Sequence, residues 1–115
     1  MEKQIRVLER QIKTIKSELE HLGDLRPGSL SEQYNVCGNP NCRCKETPPR
    51  KHGPYYQLSF TRKGRSRTKF VKRPHLPEVK KQLKNYDRLR SLVDRWIEVS
   101  SELCQLRLED RKSVV

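Results

Sequence analysis

A chain of 115 residues has room for one domain, or for a small domain with an extended helical element, which excludes a cofactor-binding α/β enzyme of ordinary size. Leu, Ile, Val and Phe together number 27, alanine is absent and 35% of the residues are charged, so a metal, a partner or self-association is expected to supplement a small core. Lys and Arg outnumber Asp and Glu by 26 to 14, and a net charge of +12 implies a polyanionic partner by its field alone.

The charge is segregated. Residues 1–25 carry 5 basic and 5 acidic side chains, residues 26–75 carry 12 and 2, and residues 76–115 carry 9 and 7. Three segments follow: an N-terminal coiled-coil-like helix over 1–25, a basic module over 26–75, and a long C-terminal helix with a short tail over 76–115. The N-terminus lacks the uninterrupted apolar run of a secretory leader, and no stretch approaches the roughly 18 apolar residues of a membrane span. A cytoplasmic protein without membrane association is expected.

In the first segment Ile5, Leu8, Ile12, Ile15, Leu19 and Leu22 recur at steps of three and four, the seam of a coiled coil, and Gly23 is placed to end the helix. Such a seam is stable only against another helix, either in the same chain or across a homodimer. In the last segment Pro77 and Glu78 suit a first helical turn. Val79, Leu83, Tyr86, Leu89, Val93, Trp96 or Ile97, and Leu103 then mark an apolar stripe to about residue 108. Cys104, beside Leu103, is expected to be a small buried hydrophobe.

The middle segment holds six of the seven prolines and four of the five glycines, so turns and short strands are expected there. Tyr55–Thr61 and Arg65–Val71 are the best strands, with a weaker third around Leu30–Val36. A three-residue Arg62-Lys63-Gly64 loop would set Thr61 opposite Arg65. That register places Tyr56, Leu58, Phe60 and Phe70 on one face, and Tyr55, Gln57, Arg65, Arg67 and Lys69 on the other. A two-residue Lys63-Gly64 turn would set Arg67 and Lys69 among the apolar side chains, and burial argues against it.

Cys37, Cys42 and Cys44 form C-x4-C-x-C around Gly38, Asn39, Pro40 and Asn41, a loop able to point several thiols at one place. His52 could add an imidazole, completing a closed, structural zinc site with three thiolates. A proline-rich loop with few apolar side chains needs something to fold around, and metal binding can supply folding free energy. Three reduced thiols without a metal, or a redox or disulfide role, are the alternatives. Arg50, Lys51, Arg62, Lys63, Arg65, Arg67 and Lys69 form a phosphate-tracking set, and Tyr55 and Gln57 are the candidates for base contact. Glu32 and Glu46 are the only acids of the segment, so no paired carboxylates point to general acid–base or magnesium chemistry, and no enzyme is expected.

Gln33-Tyr34-Asn35-Val36-Cys37-Gly38-Asn39-Pro40-Asn41-Cys42-Arg43-Cys44, the His52-Gly53-Pro54-Tyr55-Tyr56 run, the basic Gly hairpin and Asn85-Tyr86-Asp87-Arg88-Leu89 together resemble a family of small uncharacterised bacterial and archaeal proteins, often associated with transposases or other mobile elements. The resemblance spans roughly residues 28–108 and implies a prokaryotic protein in DNA-handling company. The sequence reading is thus an α+β fold of two long helices with a basic hairpin and a cysteine loop between them. Its expected function is non-catalytic nucleic-acid binding, with DNA favoured. The alternative is an adaptor whose helical stripe docks a larger enzyme such as a transposase.

Overall fold

The computed structural model describes residues 1–48 and 50–112, without the side chains of Arg111 and Lys112. The short tail expected at the C-terminus lies outside these residues. The fold is α+β: α1 (Glu2–Glu20), β1 (Ser29–Asn35), β2 (His52–Arg62), β3 (Arg65–Val71) and α2 (Leu76–Lys112), with short 3-10 turns at Arg43–Lys45 and Arg73–His75. It forms two compact units, Met1–Leu25 with α2 from Lys84 onward, and Arg26–Leu83.

In the helical unit the seam of α1 is filled by α2 of the same chain. Leu8 and Ile15 are buried with Leu92, Val99 and Leu103, and Ile5, Ile12, Leu19, Leu22, Trp96 and Leu106 pack against them. The helices run antiparallel, since Arg88 pairs with Glu18 at 2.5 Å and Arg107 with Glu9 at 3.6 Å. On α2 the buried positions Leu92, Val99 and Leu103, with Trp96, step by four, three and four, a helical stripe. Trp96, not Ile97, lies on it; Val93 and Ile97 are exposed. Cys104 is exposed as well, contrary to expectation, because the residue after Leu103 is turned about 100° away from the seam. α1 stops at Glu20, before Gly23, where the amide of His21 donates to the Ser17 and Glu18 carbonyls at 3.2 Å each.

The second unit contains a three-stranded antiparallel sheet in the order β1-β2-β3, not an isolated hairpin. The expected hairpin register is corrected. Arg62 pairs with Arg65 and Thr61 with Ser66, so the turn is the two-residue Lys63-Gly64. Both of its residues are left-handed, with φ of 52° and 74°, the mirror-image turn whose twist matches the strands. Arg67 therefore shares a face with Phe60, and Lys69 with Leu58, while Phe70 stands beside Gln57 on the other face. The burial argument fails because β1 pairs with β2 along its other side, setting Leu30 beside Leu58, and Leu58 is 1% exposed although its partner on β3 is Lys69. As an edge strand, β3 tolerates basic side chains beside apolar ones, their stems covering apolar surface and their heads in water. The Lys69 ammonium lies 5.9 Å from the Phe60 ring centre.

No described helix is long and apolar enough to cross a membrane.

Candidate metal centre and basic sheet

The cysteine loop connects β1 to β2 and is built from local turns. The side chain of Asn39 accepts from the Asn41 amide at 3.0 Å and its carbonyl accepts from the Cys42 amide at 3.2 Å, the self-bonded turn that Asn favours. A 3-10 turn follows, closed by Lys45 and Glu46 amides donating to the Cys42 and Arg43 carbonyls at 3.0 and 3.1 Å. It carries Cys44 inward, to 1% exposure. The Arg50 amide donates to the Arg43 carbonyl at 3.2 Å and ties the outgoing chain to this turn.

His52 opens β2. Gln33 pairs with Tyr55 but Asn35 pairs with His52, so β2 carries one extra residue there, a bulge that re-aims the side chain before it. Gly53 makes the bulge feasible: its φ is +144°, and a Cβ would lie 2.7 Å from the Gln33 carbonyl oxygen and 2.9 Å from the Tyr34 ring. Gly53→Ala is accordingly expected to shift His52 and weaken metal retention by roughly 10- to 100-fold, the usual cost of disturbing what orients a ligand. Competition against a chromogenic chelator measures it.

These elements bring together all four predicted ligands. The Cys37, Cys42, Cys44 and His52 donor atoms lie within 4.8 Å of one another and could hold a metal ion. The Cys37 and Cys44 sulfurs are 3.5 Å apart, and the Cys42 sulfur is 3.0 Å from His52 Nε2. A tetrahedral ion with bonds of ~2.0–2.3 Å separates its donors by ~3.4–3.8 Å, so small side-chain adjustments suffice. No disulfide is formed among them, and all four cysteines of the chain are free.

The electrostatics also suit a cation. The Cys37 thiol is held below its usual range by a backbone hydrogen bond with Asn39, then by hydrogen bonds with the Cys44 and Cys42 sulfurs and the charge of Lys45. Burial pushes the Cys44 thiol up, even though the Cys37 amide donates to its sulfur at 3.3 Å. A bound cation reverses that penalty by stabilising the thiolate directly.

The predicted nucleic-acid residues divide between surfaces. Arg62, Arg65, Arg67 and Lys69 share the sheet face of Phe60 and Leu58, while Tyr55 and Gln57 occupy the opposite face, so the single mixed face expected from the sequence does not form. Lys63 sits at the turn, and Arg50 and Lys51 lie in the loop entering β2. Arg62, Lys63, Arg65, Arg67 and Lys69 are all exposed, and among the described residues none of them makes an ion pair. Arg50 faces Glu46 at 3.9 Å. Phe70, 72% exposed, was assigned to the apolar face by the sequence reading; only the Lys63-Gly64 turn signal could have revealed its exposure.

A family model described as a domain of unknown function, DUF6788, matches residues 4–81, taking in α1 from its third residue on, the cysteine loop, the whole sheet and the start of α2. No curated protein and no solved structure matches the chain.

Proposed function

The chain belongs to the DUF6788 family, and from the residues it presents we propose that it is a non-catalytic nucleic-acid-binding protein whose basic sheet is braced by a structural zinc ion. The observation that carries this reading is the row of exposed, unpaired cations at the β2–β3 end of the sheet, Arg62, Lys63, Arg65, Arg67 and Lys69. Arg62 and Arg65 are direct cross-strand partners, a like-charge pair that weakens a hairpin and that a phosphate between them relieves. The segment 26–75 has 12 basic side chains against 2 acidic, so the field around the row is positive throughout.

Zinc fits the ligand set. Soft thiolates with an imidazole select it over hard cations, and four protein ligands leave no open position for catalysis, the mark of a structural site. The resemblance of the cysteine and His-Gly-Pro-Tyr-Tyr motifs to proteins found with mobile elements makes DNA the first polymer to test.

Salt titration of binding tests the reading. Affinity for DNA is expected to fall linearly in log–log form as salt rises, through release of condensed counterions. Replacing Arg65, Arg67 and Lys69 together with glutamine should reduce the slope by about 2 to 3. An affinity indifferent to salt, or unchanged in the triple variant, refutes it.

A further inference from the structure

We propose that the sheet face bearing Tyr55 and Phe70 binds single-stranded nucleic acid by base stacking. The inference rests on the nucleic-acid reading above and names its substrate class.

The register composes this face. Gln57 stands beside Phe70, Ser59 beside Thr68 and Thr61 beside Ser66, and β1 extends it with Ser29, Ser31 and Gln33. None of these side chains is charged. Their hydroxyls turn to each other, Ser59 to Thr68 at 3.5 Å and Thr61 to Ser66 at 3.0 Å. On this neutral ground stand Tyr55, 42% exposed, and Phe70, 72% exposed, the most exposed large apolar side chain among the described residues.

One exposed aromatic on an edge strand is ordinary. Here, however, the same two rings line two adjoining depressions. One, reaching round the end of the sheet, is completed by Pro54, Tyr56, Val71, Lys72 and Arg73, the other by Asn35, Val36, Cys37 and His52. No carboxylate lines either. Of the acids nearby, Glu32 pairs with Tyr56 and so belongs to the opposite face, while Glu46 faces Arg50. Apolar rings flanked by cations and free of acids are complementary to an unpaired nucleotide, whose base stacks while its phosphate meets Lys72 or Arg73. Bases inside a duplex offer no free π-face, so the pair of rings favours single strands. Because Cys37 and His52 form the wall of one depression, the metal centre positions the platform.

The test uses the full, metal-loaded chain. Fluorescence anisotropy compares a labelled oligothymidylate, an oligouridylate of equal length and a duplex, for the wild type, Phe70→Ala, Phe70→Tyr and Tyr55→Ala. Circular dichroism and metal content establish that each variant is folded. Each alanine variant is expected to lose roughly 5- to 150-fold in single-strand affinity, the range for removing one stacking ring, with a much smaller change on duplex, and Phe70→Tyr should bind like the wild type. Single-strand affinity that is unchanged in Phe70→Ala overturns stacking and leaves the salt-dependent reading standing. Failure of the wild type to bind any of the three polymers removes both. A Phe70-dependent dimer seen by sedimentation, without nucleic-acid binding, also overturns the proposal and gives the face to a second copy of the chain.

Discussion

Cys44→Ser is expected to abolish tight metal binding and to unfold the sheet unit, Arg26–Leu83, while the helical unit stays folded. Among the described residues Cys44 and Leu58 are the largest side chains with almost no exposure, so the Cys44 sulfur belongs to the small core and to the candidate ligand cluster at once. Serine is nearly isosteric but is a poor donor to a soft ion, and its hydroxyl is left where the Cys37 amide and sulfur approach. Metal binding by structural zinc sites is worth about 10–16 kcal/mol in finger peptides, more than the whole stability of many domains. Elemental analysis of protein purified without chelator should give ~1 metal per chain, as a four-ligand structural site would hold, in the wild type and none in Cys44→Ser. Amide exchange should then show β1, β2 and β3 unprotected. A variant that lacks metal yet retains a protected sheet would show that the site is not a structural brace.

Leu92→Ala should damage the other unit. Leu92 is 3% exposed and sits in the cluster with Leu8, Ile15, Val99 and Leu103, where truncation leaves a cavity that two helices cannot readily close. A loss of about 2–5 kcal/mol is expected, with metal content unchanged. The single tryptophan, Trp96, packs against this cluster, and Lys16 lies 5.3 Å over its ring. Its fluorescence therefore follows the helical unit during urea unfolding. A midpoint equal to that of the wild type would show that the α1–α2 seam contributes little.

How much of this was legible beforehand depended on the range of the interactions. The seam of α1 could be read residue by residue because steps of three and four need only helical geometry, and the clustering of Cys37, Cys42, Cys44 and His52 could be read because these residue types are rare in so polar a loop. On α2 the stripe slipped at Val93 and Cys104, since a long polar helix offers several near-equal phases and the partner's position decides among them. The strands Tyr55–Thr61 and Arg65–Val71 were found, but their pairing was not. Register was inferred from burial within a hairpin, whereas burial on β2 is completed by β1, a non-local partner whose sequence, Ser29–Asn35, has only Leu30 and Tyr34 as apolar signals. The twist of the two-residue turn, in which Gly64 takes φ of 74° freely and Lys63 takes φ of 52° at a cost, outweighed the cost of placing Lys69 beside Leu58, a cost kept small by exposure at the edge.

The connection between β1 and β2 spans residues 36–51, whereas β2 and β3 are joined by two residues, and this difference sets an order of events. The β2–β3 hairpin can close on itself within ~1–10 μs, but β1 must find its register across a long, proline-rich excursion whose closure entropy grows with its length. Cys37 lies at one end of that excursion and His52 at the other, so on the zinc proposal one ion would tie the facing ends of β1 and β2 together and shorten that search. On the zinc proposal, assembly of the sheet would be a bimolecular event whose pace depends on the free metal the chain meets, and without the ion all three strands would stay unprotected, since a two-stranded hairpin is marginal on its own in water.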